Sequence, residues 1–235
     1  MANTKLDVRV YPIDEPKGNT MAFASVAAND IVAIRGIRVM NSEKGLFVNM
    51  PQSKDKEDKY HDIAFPVSGD LRKQITEAVL NEYVRVAALA PGQRGYEKPD
   101  KDSANNINTA DIKIDIRIYP INNGQNNDTK AFASVTVDDL IAIRGIRVVE
   151  GEKGLFTTMP QSKDKNGGYH DIAFPLNGDL RKEINKAILE KYNGAEKSEK
   201  KQTLADGLRN GTEKAADQST MQRPIAAKSY AGAIE

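Results

Sequence analysis

The chain has 235 residues, with 34 Lys and Arg against 33 Asp and Glu, a formal net charge of +1 and no cysteine. Near-neutrality excludes a global pull toward polyanions, and the missing cysteines exclude disulfides, thiolate catalysis and Cys-based zinc or iron–sulfur centres. No run of about eighteen apolar residues marks a membrane span, and MANTKLDVRVYP lacks the apolar segment of a secretory signal, so a soluble, cytoplasmic protein without a membrane partner is expected.

In chain order, Leu6, Val8 and Val10 alternate with Asp7 and Arg9, which predicts a strand that Pro12 ends. The turn cluster DEPKGNT follows, and AFASVAA makes the return strand of a hairpin. After Asn29-Asp30 come the strand IVAIRGIRVM, the turn NSEKG and the strand LFVNM. A polar loop leads to a short strand, YHDIAF, closed by Pro66. Ser68 is placed to N-cap a helix through LRKQITEAVLNEYVRVAAL, whose Leu71, Ile75, Val79 and Tyr83 fall four apart on one stripe.

Offsetting the chain by 109 residues aligns Phe23–Tyr83 with Phe132–Tyr192, most positions being identical, so the unit is written twice. Asn177 takes the place of Ser68 as cap, ahead of Leu180, Ile184, Ile188 and Tyr192. The pattern predicts an α+β fold: two tandem copies of a small antiparallel β-sheet packed by a C-terminal α-helix, each copy with its own core. The copies are expected at 1–90 and 111–193, joined by a Gly-, Pro- and Asn-rich linker at 91–110 and followed by a polar, disordered tail at 194–235.

Both copies contain AIRGIRV, at 33–39 and 142–148. In a regular strand Arg35 and Arg38 would point to opposite faces, burying one charge. A β-bulge at Gly36 slips the alternation, so that Ile34, Ile37 and Val39 face the helix while both arginines share the other face; Arg144, Gly145 and Arg147 repeat the device. These arginines either bind a partner or merely solvate the sheet, pairing with Glu43 and Asp62.

Basic residues also recur in the loop with Lys54, Lys56 and Lys59, matched by Lys163 and Lys165, and at the helix start with Arg72 and Lys73, matched by Arg181 and Lys182. Such groups neutralise phosphates, and a helix N-terminus adds partial positive charge. The histidines, His61 and His170, each precede an Asp, but adjacent strand residues face opposite ways, so no His–Asp catalytic pair forms that way. One His per copy with scattered carboxylates is poor metal spacing, and no glycine-rich phosphate loop is present; neither an enzyme nor a cofactor is expected. Among the aromatics that could stack on bases, Phe47 is expected in the core and Tyr11 and Tyr60 at the surface.

GLFVNMPQSKDKEDKYHDIAFPVSGDLRKQITEAVLNEY, and its second copy GLFTTMPQSKDKNGGYHDIAFPLNGDLRKEINKAILEKY, resemble the SpoVG septation-regulator family. The shared pattern is Gly-Leu-Phe, Met-Pro, a Ser-Lys loop, Asp-Ile-Ala-x-Pro and a helix ending in Leu-x-x-Tyr. Phe65 and Phe174 depart from it, standing where family members commonly carry His, and Gly36 stands where Asp or Asn is common. The resemblance implies a non-enzymatic, bacterial, DNA- or RNA-binding regulator of septation, sporulation or gene expression. Arg35, Arg38, Lys54, Lys56, Arg72, Lys73, Arg144, Arg147, Lys163, Lys165, Arg181 and Lys182 are then its expected contacts. Because the family forms homodimers, the two copies are expected to make an intramolecular pseudo-dimer; a flexible linker of about twenty residues spans roughly 25 Å. The alternative is a protein–protein interaction module acting through exposed sheet edges.

Overall fold

The computed structural model describes residues 4–55, 57–94, 108–121, 128–164 and 166–195. The expected tail therefore lies outside the described residues from 196 on, as does most of the linker. Met1–Tyr192 form one compact unit.

In the first copy β1 (Leu6–Pro12), β2 (Thr20–Ala28) and β3 (Val32–Ser42) make an antiparallel meander, and β4 (Gly45–Asn49) adds to the far end of β3. Asn29 and Asp30 both have positive φ, 51° and 55°, the two-residue geometry that matches the strand twist; Asp138 and Asp139 repeat it. The helix α1 (Gly69–Ala87) starts where Ser68 accepts from the Leu71 amide at 3.1 Å. It buries Leu71, Ile75, Val79 and Val86. In the second copy β8 (Ile114–Pro120), β9 (Thr129–Val137), β10 (Ile141–Gly151) and β11 (Gly154–Thr158) repeat the meander. The helix α2, described over 178–195, begins where Asn177 accepts from the amides of Asp179 and Leu180.

The expected strand YHDIAF is two strands, because Ile63 bends it. Its N–H bonds the Pro51 carbonyl at 2.8 Å while its own carbonyl accepts from Arg144 of the other copy at 2.7 Å. β6 (Tyr60–Asp62) pairs with β5 (Gln52–Lys54), inside the stretch expected to be loop, and β13 (Tyr169–Asp171) pairs with β12 (Gln161–Lys163). β7 (Ala64–Pro66) leaves its own copy and pairs with β10, Ala64 opposite Ile143 and Pro66 opposite Ile141. β14 (Ala173–Pro175) does the reverse, pairing with β3 so that Ala173 faces Ile34. The copies thus exchange one strand each. Flanking bonds from Val67 N to Leu140 O and from Leu176 N to Ile31 O, 2.9 and 2.8 Å, extend both junctions. Ala64 and Ala173 are fully buried, and one continuous apolar cluster contains Ile34 and Ile75 together with Ile143 and Ile184.

The bulges lie where the arginine repeats predict. Between Ala24 and Val26 of β2 one residue opposes two on β3, and Gly36 takes φ +74°; Gly145 takes +76° at the matching shift in β10. Ile34, Ile37 and Val39 are all buried. The extra amide of each bulge is satisfied by the exchanged segment: Arg35 N donates to Ile172 O at 2.6 Å, as Arg144 N does to Ile63 O. A Cβ on either glycine has room, its nearest neighbour at Gly36 being Pro51 at 3.9 Å, so substitution strains only the backbone. Gly36→Ala and Gly145→Ala are each expected to destabilise by about 1 kcal/mol. Thermal melts read this as a drop of about 2–4 °C per site.

Candidate nucleic-acid interface

Each sheet has one face in the core and one facing away from it. The inner rows are Val10–Ala24–Ile37 and Val8–Val26–Ile34. Next to the Val10 row, on the side away from Val8, Tyr11 lies opposite Phe23 on the outer face, Phe23 opposite Arg38, and Arg38 opposite Asn49. The second copy places Tyr119, Phe132, Arg147 and Thr158 in the same order. Each outer face is therefore crossed by a row of two aromatic rings and a guanidinium, cross-strand neighbours with Cβ atoms about 5 Å apart. Phe23 is 48 % exposed and Phe132 44 %.

The basic residues divide by their partners. Arg72 bonds Asp62 at 2.9 Å and Arg181 bonds Asp171 at 2.7 Å. Lys73 lies 4.0 Å from Glu77, Lys182 lies 2.8 Å from Asp179, and Lys54 lies 2.8 Å from Asp58. Lys54 and Lys163 also sit over the rings of Tyr60 and Tyr169, at 5.9 and 5.8 Å. Lys56 and Lys165 lie outside the described residues. Among the described residues no carboxylate pairs with Arg35, Arg38, Arg144 or Arg147, so the pairings with Glu43 and Asp62 do not occur. Instead Arg35 stacks 4.6 Å above Phe174 and Arg144 stacks 4.7 Å above Phe65, rings supplied by the other copy's exchanged strand. Arg147 donates to Thr158 Oγ1 at 3.2 Å. Exposed ion pairs are worth at most about 1 kcal/mol, yet each must be broken or shared before its cation serves a phosphate.

The strand exchange also builds a cleft of about 440 Å³ from both copies. Phe132, Arg144, Arg147, Gln161 and Tyr169 line it from the second copy, and Ser53, His61 and Asp62 from the first. Asp62 is held there by Gln52 as well as by Arg72.

Sequence reading missed the partner of each histidine. His61 Nε2 contacts Asp55 Oδ2 at 2.6 Å, and His170 contacts Asp164 at 2.7 Å, across the tip of a two-stranded hairpin. Ser53 lies opposite His61, but no hydrogen bond joins them, so no Ser–His–Asp relay is formed. The carboxylates instead fasten the loop. Asp55 accepts the amides of Lys59 and Glu57, Asp164 those of Gly168 and Asn166. The Lys59 amide first, then the His61 ring, holds Asp55 below the ordinary value of 3.8; for Asp164 the His170 ring leads and the Gly168 amide follows. A carboxylate depressed in the folded state stabilises above its unfolded value and loses that contribution as pH falls through the folded one. Protection of the Lys59 and Gly168 amides, measured against the intrinsic exchange rate at each pH, is therefore expected to fall in acid, below about pH 4, while the sheet amides stay protected.

A further difference concerns the aromatics. Phe47, expected inside, is 40 % exposed, because Val48 pairs with buried Val39 and alternation turns Phe47 outward; Tyr11 and Tyr60 are exposed as expected. Phe23 and Phe132 are exposed as well, and the alternation in AFASV places each on the opposite side from two buried alanines.

Among the described residues no group of three or more His, Asp or Glu is placed to hold a metal, and no helix is long and apolar enough to cross a membrane. The SpoVG family profile matches residues 3–85 and again 112–194. Curated relatives named septation protein SpoVG match one copy at a time. That of Agathobacter rectalis is 46 % identical over 78 residues, 33 % of this chain and 87 % of the relative. That of Finegoldia magna is 48 % identical over 79 residues, 34 % and 71 % of the two chains. That of Lachnospira eligens is 42 % identical over 82 residues, 35 % and 91 %. The chain belongs to the SpoVG family and carries the family's unit twice.

Proposed function

We propose that this protein is a non-enzymatic regulator that binds DNA or RNA through the bulge arginines of both copies and acts in septation, the process for which its relatives are named. The observation that carries this reading is the division of the cations. Arg35, Arg38, Arg144 and Arg147 lack carboxylate partners among the described residues and lie on the face turned away from the core, whereas Arg72 and Arg181 are engaged by Asp62 and Asp171. A chain with a net charge of +1 gains polyanion affinity only from such a local set. The two copies act as an intramolecular pair: each stacks an aromatic ring under the other's arginine, and both sets are carried on one chain, which raises the effective concentration of the second for a strand bound to the first.

The test is anisotropy of labelled single- and double-stranded DNA and RNA titrated with the full-length protein at low and moderate salt. Saturable binding that weakens steeply with salt is expected. An absence of binding at low salt contradicts the reading and favours a protein partner at the open edges of β1 and β8.

A further inference from the structure

We infer that the ligand of this face is single-stranded nucleic acid, its bases stacked on Phe23 and Phe132 while Arg38 and Arg147 hold the flanking phosphates. This rests on the nucleic-acid reading above and adds to it the strandedness and the residues that read it.

Charge alone would serve a duplex equally well. The outer face, however, does not present charge alone. Each arginine of the row has a half-exposed phenylalanine as its direct cross-strand neighbour, Phe23 beside Arg38 and Phe132 beside Arg147, and a further exposed ring, Tyr11 or Tyr119, next in line. A duplex seals its base faces inside the stack, so these rings would meet only sugar and phosphate and gain little. An unpaired base has two open π-faces, and stacking one on a protein ring is worth a roughly ten-fold or larger change in affinity per base, whatever the base.

The cleft fits the same occupant. Phe132, Arg144 and Arg147 line it together with Tyr169, and Ser53 and His61 of the first copy add polar groups at its other side. At about 440 Å³ it is of the size that holds a small ligand, such as one nucleotide of a longer strand. Among the described residues that line it the one carboxylate, Asp62, is already engaged by Arg72 and Gln52, so its charge opposes a phosphate less than a free one would. A purely apolar partner would leave the two guanidiniums without counter-charge.

The experiment compares, with full-length protein, one labelled sequence as single-stranded DNA, single-stranded RNA, duplex DNA and an abasic strand with the same number of phosphates. The DNA and RNA arms distinguish the sugar. Expected is binding of a single strand at least about ten-fold tighter than of the duplex or the abasic strand. Phe23→Ala with Phe132→Ala should remove most of that preference and leave the dependence on salt unchanged. Phe23→Leu with Phe132→Leu, which keeps apolar bulk but removes the ring, should do the same, so a folding defect cannot imitate the result. Duplex and abasic strands bound as tightly as the single strand, or phenylalanine variants that bind unchanged, overturn the stacking inference and leave the charge-based reading standing. No binding of any strand at low salt overturns both.

Discussion

Ala173→Asp is expected to open the sheet of the copy to which residue 173 does not belong. Ala173 is fully buried and lies opposite Ile34 on β3, so the new carboxylate would sit unpaired in the apolar cluster. An uncompensated buried charge costs several kcal/mol, a large share of the roughly 5–15 kcal/mol that hold a domain together. The bond from Arg35 N to Ile172 O would go with it, leaving the bulge amide unsatisfied. The expected outcome is a loss of cooperative melting or a fall in Tm of ten degrees or more, about 2–4 °C per kcal/mol for a chain of this size. Ala173→Val, which overpacks by about 1–3 kcal/mol without adding charge, is the milder probe. Under hydrogen exchange it should deprotect Ala33 and Arg35, whose amides face the exchanged strand, while β8 and β9 keep their protection. Deprotection confined to the second copy would contradict the exchange.

What could be read beforehand was local. The Asn29-Asp30 turn, the caps at Ser68 and Asn177, the glycine bulges and the helix stripe are each fixed by residues within a few positions of one another, where propensity and periodicity act directly. The partner of β7 was not of this kind. Ala-Phe-Pro occurs identically in both copies, as does Ala-Ile-Arg-Gly, so nothing in the residues says whether a copy pairs with itself or with the other. The bend at Ile63 decides it, through bonds to Pro51 and Arg144 that are distant in sequence. The same holds for the cations: Arg72 finds Asp62 only once α1 and β6 are packed together. The placement of Phe47 was readable. Counting back from the tight turn pairs Asn41 with Leu46, Met40 with Phe47 and Val39 with Val48, and a buried Val39 sends Phe47 outward.

Removing the bulge arginines is expected to change binding more than any other change that spares the core. Arg35→Gln, Arg38→Gln, Arg144→Gln and Arg147→Gln together delete four cations that have no carboxylate partner among the described residues, and glutamine keeps a polar end on the exposed face. If each meets a phosphate, the slope of log K against log salt should become shallower by about 3, since each contact contributes roughly 0.7–0.9. Affinity at low salt should fall by about a hundred-fold or more. Stability should change little, because the arginine–ring stacks over Phe174 and Phe65 contribute about 0.5–1 kcal/mol each. Arg72→Gln with Arg181→Gln should move the slope far less, as those guanidiniums are shared with Asp62 and Asp171.

The most direct measurement is that salt titration, made by anisotropy on a labelled single strand with the wild type and the two variant sets side by side. The account predicts a steep slope for the wild type, a nearly wild-type slope for the helix-start pair and a shallow one for the four bulge substitutions. A slope that the bulge substitutions leave intact, or one that collapses with Arg72 and Arg181 instead, would contradict it.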